Sequence, residues 1–404
     1  MMRVLGNLFA MAAGLLIALL IAEGVLRLLG FGPVEIRQDS LLGYRYVPGV
    51  QFRKFDEGAS TGRINSQGWR DVEHAFAKPA GRTRVLILGD SFVAAFQVPL
   101  DSTFFRKLER SLDRRAGAPE KVEVVALGQN GNGTAAECLT YERFGRRYDP
   151  DIVALLFILN DQADNWKPVA LEKSRPFFVA VGDSMVLDTS FAETAAFRHG
   201  EHWMWLRTHS VLWAQVHRAL ATLRARARPP VQPGGVVEQG YYTTWNFDAR
   251  VPADTIAAFR LTEKILAKLA GEVQRDGRRF VVFAAGFAQQ EDHALLAEYG
   301  KDPAFDPDKT QRWLLSIGAR HGFDVIPLTP AFRAASVALD QPFWFGKNGL
   351  YGHWNSAGHT VAANVMEDYL ARAIPGLDTT ALAPLPKGPA PPAPEAVRRD
   401  HGGR

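Results

Sequence analysis

A single cysteine, Cys138, occurs in 404 residues. The chain can therefore form no intrachain disulfide and no cysteine-based metal site. An excess of one charge is also lacking: 47 Lys and Arg stand against 43 Asp and Glu. A net charge of +4 on this length argues against a dedicated nucleic-acid binder. No third ligand stands at metal spacing beside His199 and His202, or beside His209 and His217, so these are read as core or surface histidines. What remains is a chain with 47% hydrophobic residues, enough for a sizeable core in one large domain or two small ones.

Residues 4–22 are almost wholly apolar, with Asn7 the one strongly polar residue. As a helix this run is about 28 Å long, close to a hydrocarbon core of roughly 30 Å. A cleaved signal peptide has a shorter apolar core and a small-residue cleavage site. Here Glu23 and Arg27 continue the helical pattern through Leu29. Residues 1–30 are accordingly read as a transmembrane signal anchor. Arg3 and the terminal amine favour a cytoplasmic N-terminus, with the rest of the chain extracytoplasmic. In a cell with two membranes this means the inner membrane and the periplasm.

Residues 31–80 are rich in turns and are read as an extension packed on the main domain. The alternative puts Trp69 or Arg70 near a ligand. From Arg84 onward, strands and helices alternate. Val85–Leu88 is a short buried strand, followed by Gly89-Asp90-Ser91. Asp101 or Ser102 can cap a helix to about Arg115. Val122–Leu127 is a second strand, followed by a Gly/Asn loop, Gly128 to Gly133, and Thr134 can cap the next helix. Ile152–Leu159 is a third strand, ending at Asn160-Asp161. Residues 166–250 break the pattern and are read as an insertion. They contain an aromatic helix around Trp203–Leu223, a small basic run (Arg224, Arg226, Arg228) and a Pro/Gly stretch from Pro229 to Gly235. Alternation resumes with a helix near Ala253–Arg275, a strand Phe280–Phe283, a helix near Asp308–His321 and a strand Val325–Leu328. Five buried strands with intervening helices imply an α/β fold with a parallel, doubly wound sheet. A last helix runs from the His353–His359 block to about Ala373. Seven prolines from Pro375 to Pro394 mark residues 374–404 as a disordered tail.

Gly-Asp-Ser occurs twice. Gly182-Asp183-Ser184 lies between two short extended runs and reads as a hairpin turn. Ser91 lies between a buried strand and a helix start, where ligands bind an open α/β sheet. Serine needs a base to act as a nucleophile, and the attacked carbonyl oxygen needs aimed donors. Ser91, Gly131 and Asn160 follow three strands whose ends share one edge of a parallel sheet. His353 precedes the last helix and can reach the same edge.

These residues resemble the SGNH (GDSL-like) hydrolase family, with Ser91, Gly131, Asn160 and His353 at the four marker positions. Four blocks carry the resemblance to a bacterial membrane-anchored branch: Asn65–Asp71, Gly89–Phe92, Pro150–Asp161 and His353–His359. The resemblance spans residues 60–373 and sets the hydrolase domain at 81–373. It implies a flavodoxin-like three-layer sandwich, an acyl-serine intermediate and no metal or organic cofactor. It makes Ser91 the nucleophile and His353 the base. It assigns the oxyanion to the Ser91 and Gly131 N–H groups and the Asn160 amide.

One departure matters. The family's aspartate stands two or three residues before the histidine, where this chain has Tyr351 and Leu350. Three explanations are open: a Ser–His dyad held by a backbone carbonyl, a distant acid such as Asp340, or an impaired site. His359 is the rival base. The expected function is a serine esterase or acyltransferase acting on O-acyl esters, O-acetyl among them, of an extracytoplasmic glycan or lipid. The alternative is a non-catalytic module that binds acylated polysaccharide in an export or assembly complex.

Overall fold

In the computed structural model of the protein, the residues described are 2–29, 31–32, 35–55, 57–170, 172–182, 184–227, 245–249, 253–339, 341–345 and 352–385. The turn-rich extension forms two antiparallel hairpins. The first pairs β1 (Ile36–Asp39) with β2 (Gly43–Tyr46), and the second pairs β3 (Gln51–Lys54) with β4 (Ser60–Arg63). The main sheet uses β5 (Thr83–Gly89), β6 (Val122–Gly128) and β7 (Ile152–Phe157). The expected hairpin follows as β8 (Phe177–Val181) and β9 (Ser184–Asp188). Two more strands, β10 (Arg279–Ala284) and β11 (Asp324–Pro327), complete the sheet.

The sheet has five strands in the order β11-β10-β7-β5-β6, all parallel. This is the flavodoxin-like order, with the reversal between β5 and β7. Alternation along β5 sends Val85 and Ile87 to one face and Leu86 and Leu88 to the other. Helices Phe104–Arg115 and Ser356–Ala373 cover the first face. Helices Thr134–Arg143, Ala253–Arg275 and Lys309–His321 cover the second. Three layers result because a parallel sheet must bury both faces.

Several boundaries differ from expectation. Thr103, not Asp101 or Ser102, caps the helix Phe104–Arg115, because its extended backbone lets Oγ1 accept from Arg106 N. Thr134 is the first helical residue rather than the cap, and its hydroxyl donates to Asp161 Oδ2 at 3.2 Å. The aromatic helix is two, Met204–His209 and Val211–Ala227, broken at an extended Ser210. Residues 374–385 are not a free tail. Leu377, Leu382 and Leu385 pack on the core, and Arg115 Nη1 donates to Asp378 O at 3.1 Å. Apolar side chains among the prolines supply that docking. Residues 386–404 and the stretch Pro229–Gly235 lie outside the described residues.

The helix Met2–Leu28 is long and apolar enough to cross a membrane, with a mean hydropathy of 2.4 over an 18-residue window and none of that window buried. Its C-terminal end is tied to the main body. Glu23 accepts hydrogen bonds from Val211 N (2.9 Å), Leu212 N (2.8 Å) and Ser210 Oγ (3.0 Å). Those N–H groups open the helix Val211–Ala227, so a carboxylate caps it where the helix field favours negative charge.

A buried polar network joins the extension to the sheet. His74 Nδ1 lies 2.7 Å from Glu123 Oε1, and Nε2 lies 3.1 Å from Asp71 Oδ2. Burial opposes charging of this ring, but the two carboxylates outweigh it and raise its pKa to about 9. A raised histidine pKa stabilises the fold fully below the unfolded value near 6.5 and loses that contribution as pH rises through about 9. The contribution is about 2–4 kcal/mol. We expect Tm to fall between pH 7 and pH 10, and His74→Gln to flatten that fall. Thermal unfolding across this pH range measures both.

Candidate active site

β5 ends at Gly89, and Asp90 caps a one-turn helix, Ser91–Ala94, by accepting from Phe92 N at 2.9 Å. Ser91 thus stands at the sheet edge with its N–H among the unpaired first-turn donors. The histidine arrives from the far end of the chain. Asn355 caps the last helix through Ala357 N (2.9 Å) and Gly358 N (3.0 Å). Just before it, Phe345 N donates to His353 O at 2.8 Å. Trp354 is fully buried beside Phe92 and Phe332, which fixes the segment from below. His353 Nε2 lies 2.8 Å from Ser91 Oγ.

The other ring nitrogen meets an acid that sequence reasoning missed. Glu57 Oε2 lies 2.5 Å from His353 Nδ1, and Glu57 Oε1 accepts from His353 N at 2.6 Å. Both carboxylate oxygens are therefore committed to one residue. Glu57 sits in the loop between β3 and β4, whose tip is pinned when Ser60 Oγ donates to Phe96 O. The chain passes close at Gly352, where a Cβ would come within 1.6 Å of Phe345 O. Any larger residue there would push His353 off Glu57. Asp340, Leu350 and Tyr351, considered for this role, lie outside the described residues.

Gly131 and Asn160 line the same cavity as Ser91 and His353. Gly131 has φ +66°, a left-handed conformation that suits glycine, and its N–H has no acceptor among the described residues. Gly128 serves packing instead: a Cβ there would come within 2.2 Å of Ala94 N. The Gly131 loop is held by two tyrosines of β2. Tyr44 Oη donates to Asn130 O, and Tyr46 Oη accepts from Asn130 N at 2.9 Å. The Asn160 amide is already engaged, donating to Asp164 Oδ2 at 2.8 Å and to Asp90 Oδ2 at 3.3 Å. It can turn to a developing oxyanion only by yielding the longer bond.

Buried acids lie beneath these donors. Burial pushes the Asp90 carboxyl up, and it pushes Glu137 and Asp161 well above the ordinary carboxylate range. His359 is fully buried, which pushes its pKa well down, and its Nδ1 accepts from Phe104 N at 3.2 Å. It packs under the site and does not face the serine. Ser184 lies in the exposed hairpin, bonded to Val181 O at 2.9 Å. Trp69 and Arg70 are buried, and Arg70 donates to Ala94 O (3.0 Å) and Val98 O (2.5 Å), so both serve packing. Cys138 lies beside Glu142 and Glu272, where Lys268 pairs with both carboxylates and supplies the positive charge.

No family model matches the chain, and no curated protein does. Among solved structures it is similar to LAE5, an α/β hydrolase from the metagenome of Lake Arreo, Spain, at 16% identity over 70% of this chain and 92% of that one, with a TM-score of 0.36. It is also similar to Axe2, an acetylxylan esterase from Geobacillus stearothermophilus, at 12% identity over 75% and 100% of the two chains, with a TM-score of 0.39. A lipase/acylhydrolase from Enterococcus faecalis is similar at 12% identity over 71% and 95%, with a TM-score of 0.36. These likenesses are distant.

Proposed function

We propose that the protein is a membrane-anchored serine hydrolase or acyltransferase acting on O-acyl esters, O-acetyl among them, of an extracytoplasmic glycan or lipid. The observation that carries this is the line Ser91 Oγ–His353 Nε2–Glu57, with contacts of 2.8 Å and 2.5 Å. His353 takes the Ser91 proton as Oγ attacks the carbonyl carbon. The tetrahedral oxyanion is met by the Ser91 and Gly131 N–H groups, with Asn160 turning toward it. Collapse breaks the C–O bond to the alcohol, which leaves with the proton from His353. Water, or a second alcohol, then attacks the acyl-serine with His353 again as base.

The Met2–Leu28 helix supports the anchor, and its length and composition suit a single span. A non-catalytic binding role has two grounds, the missing acid just before His353 and the aromatic insertion, and Glu57 at His353 Nδ1 weighs against the first. The test is turnover of 4-nitrophenyl acetate and of acetylated oligosaccharides by purified full-length protein in detergent. The reading predicts ester cleavage or transfer that disappears in Ser91→Ala. Absence of both from the folded parent protein would overturn it.

A further inference from the structure

The active-site cavity holds about 890 Å³ and is lined in part by residues 172–217, which lie outside the main sheet. One of them is out of place as a structural residue. Arg175 is 95% buried, at 5% exposure, yet its guanidinium has no hydrogen-bond or ion-pair partner among the described residues. Its Nε is sealed from solvent without an acceptor. Its Nη2 lies 3.4 Å from where a Cβ on Gly131 would be, so the charge sits beside the oxyanion loop. Burying a cation unpaired is costly, and arginines that serve the fold find acceptors. Arg70 has a sealed Nε too, but its Nη1 and Nη2 donate to two carbonyls.

The nearby carboxylates hydrogen-bond elsewhere. Glu172 Oε1 accepts from Ser174 N at 2.6 Å, and Asp164 Oδ2 accepts from the Asn160 amide at 2.8 Å. The placement of Arg175 is built rather than accidental. Gly43, at φ +85°, brings β2 against its backbone, since a Cβ there would fall 2.4 Å from Ser174 O and 2.9 Å from Arg175 Cβ. A second guanidinium, Arg207, also lines the cavity with a sealed, unpartnered Nε.

Granting the ester-cleaving reading of this site, we propose that its substrate is an anionic ester, carrying a carboxylate or phosphate near the scissile bond that Arg175 binds. The planar guanidinium suits bidentate pairing with either oxyacid. Such a pair is strengthened where water is scarce, and Arg175 is 5% exposed with its Nε sealed. Arg207 extends the positive field along the cavity and suits a substrate with more than one negative group.

The test compares matched esters: acetylated oligogalacturonide against acetylated galactoside, and acetylglycerol phosphate against monoacetin. The parent prefers the anionic member of at least one pair, and which pair it prefers tells carboxylate from phosphate. In Arg175→Ala, KM for the preferred anion rises about 10–100-fold and the preference collapses toward one. Arg175→Lys restores part of it. Removal of the unpaired charge raises Tm, which separates binding from folding. A fall in kcat that is equal for the charged and neutral esters overturns the proposal and places Arg175 on the oxyanion instead. A parent with no preference for either anion also overturns it. Calorimetric binding of oligogalacturonide and glycerol phosphate to Ser91→Ala, with and without Arg175→Ala, keeps the two readings apart. Arg175-dependent binding by a protein that cleaves no ester upholds the anion site and fails the hydrolase.

Discussion

Ser91→Ala and His353→Ala each lower kcat by about 10⁶-fold, and the double replacement costs little more than either alone. The two side chains act as one unit through a single 2.8 Å contact. Without Oγ no acyl-enzyme forms. Without the imidazole, Oγ keeps its proton and is a weak nucleophile. The residual rate comes from binding and from the Ser91 and Gly131 N–H groups, which survive both changes. Single-turnover kinetics on 4-nitrophenyl acetate measures the effect. His359→Ala separates the bases. It damages packing around Phe104 and Trp354 and lowers Tm, because its ring is buried between them. If His353→Ala retains most activity while folded His359→Ala loses it, the assignment of the base is wrong.

Glu57→Gln lowers kcat by about 10⁴-fold, with KM and Tm little changed. The carboxylate accepts from His353 at Nδ1 and so keeps the free lone pair on Nε2, facing the serine. It also stabilises the imidazolium that forms when the proton moves. A glutamine amide can donate to Nδ1 instead, which puts the proton on Nε2 and removes the base. Tm is the control. The Glu57 side chain is 22% exposed, so its replacement opens no core cavity. Glu57→Asp recovers only part of the rate, because the shorter side chain cannot reach both the ring and the His353 N–H. An intact rate in Glu57→Gln would mean that the site works as a Ser–His dyad.

Three strands of the sheet were legible in the sequence because they are short, mostly apolar runs that end in Gly or Asn. Val85–Leu88, Val122–Leu127 and Ile152–Leu159 bear that pattern without ambiguity, and the order of the motifs implied the shared edge. Ser91 was separable from Ser184 by context alone: a buried strand and helix on one side, two exposed strands on the other. Glu57 was not legible. It lies 34 positions before Ser91, in a hairpin loop with no periodicity, and reaches His353 across 296 residues of sequence. The pairing exists because β3 and β4 fold back over the serine helix, a tertiary fact that no local pattern carries. The one hint was an acidic pair before a glycine, Asp56-Glu57-Gly58, in a segment otherwise read as packing. Thr103 and Thr134 show the same limit at smaller scale. Which of several adjacent polar residues caps a helix depends on backbone angles set by contacts elsewhere.

Glu57 makes His353 a competent base for Ser91 in the proposed site. Treating the intact protein with a fluorophosphonate and mapping the adduct by mass spectrometry, as a rate, tests this most directly. A single adduct on Ser91 is expected, formed several orders of magnitude more slowly in Glu57→Gln at equal Tm. Labelling of Ser91 at the same rate in Glu57→Gln, or no labelling of folded parent protein at Ser91, would contradict it.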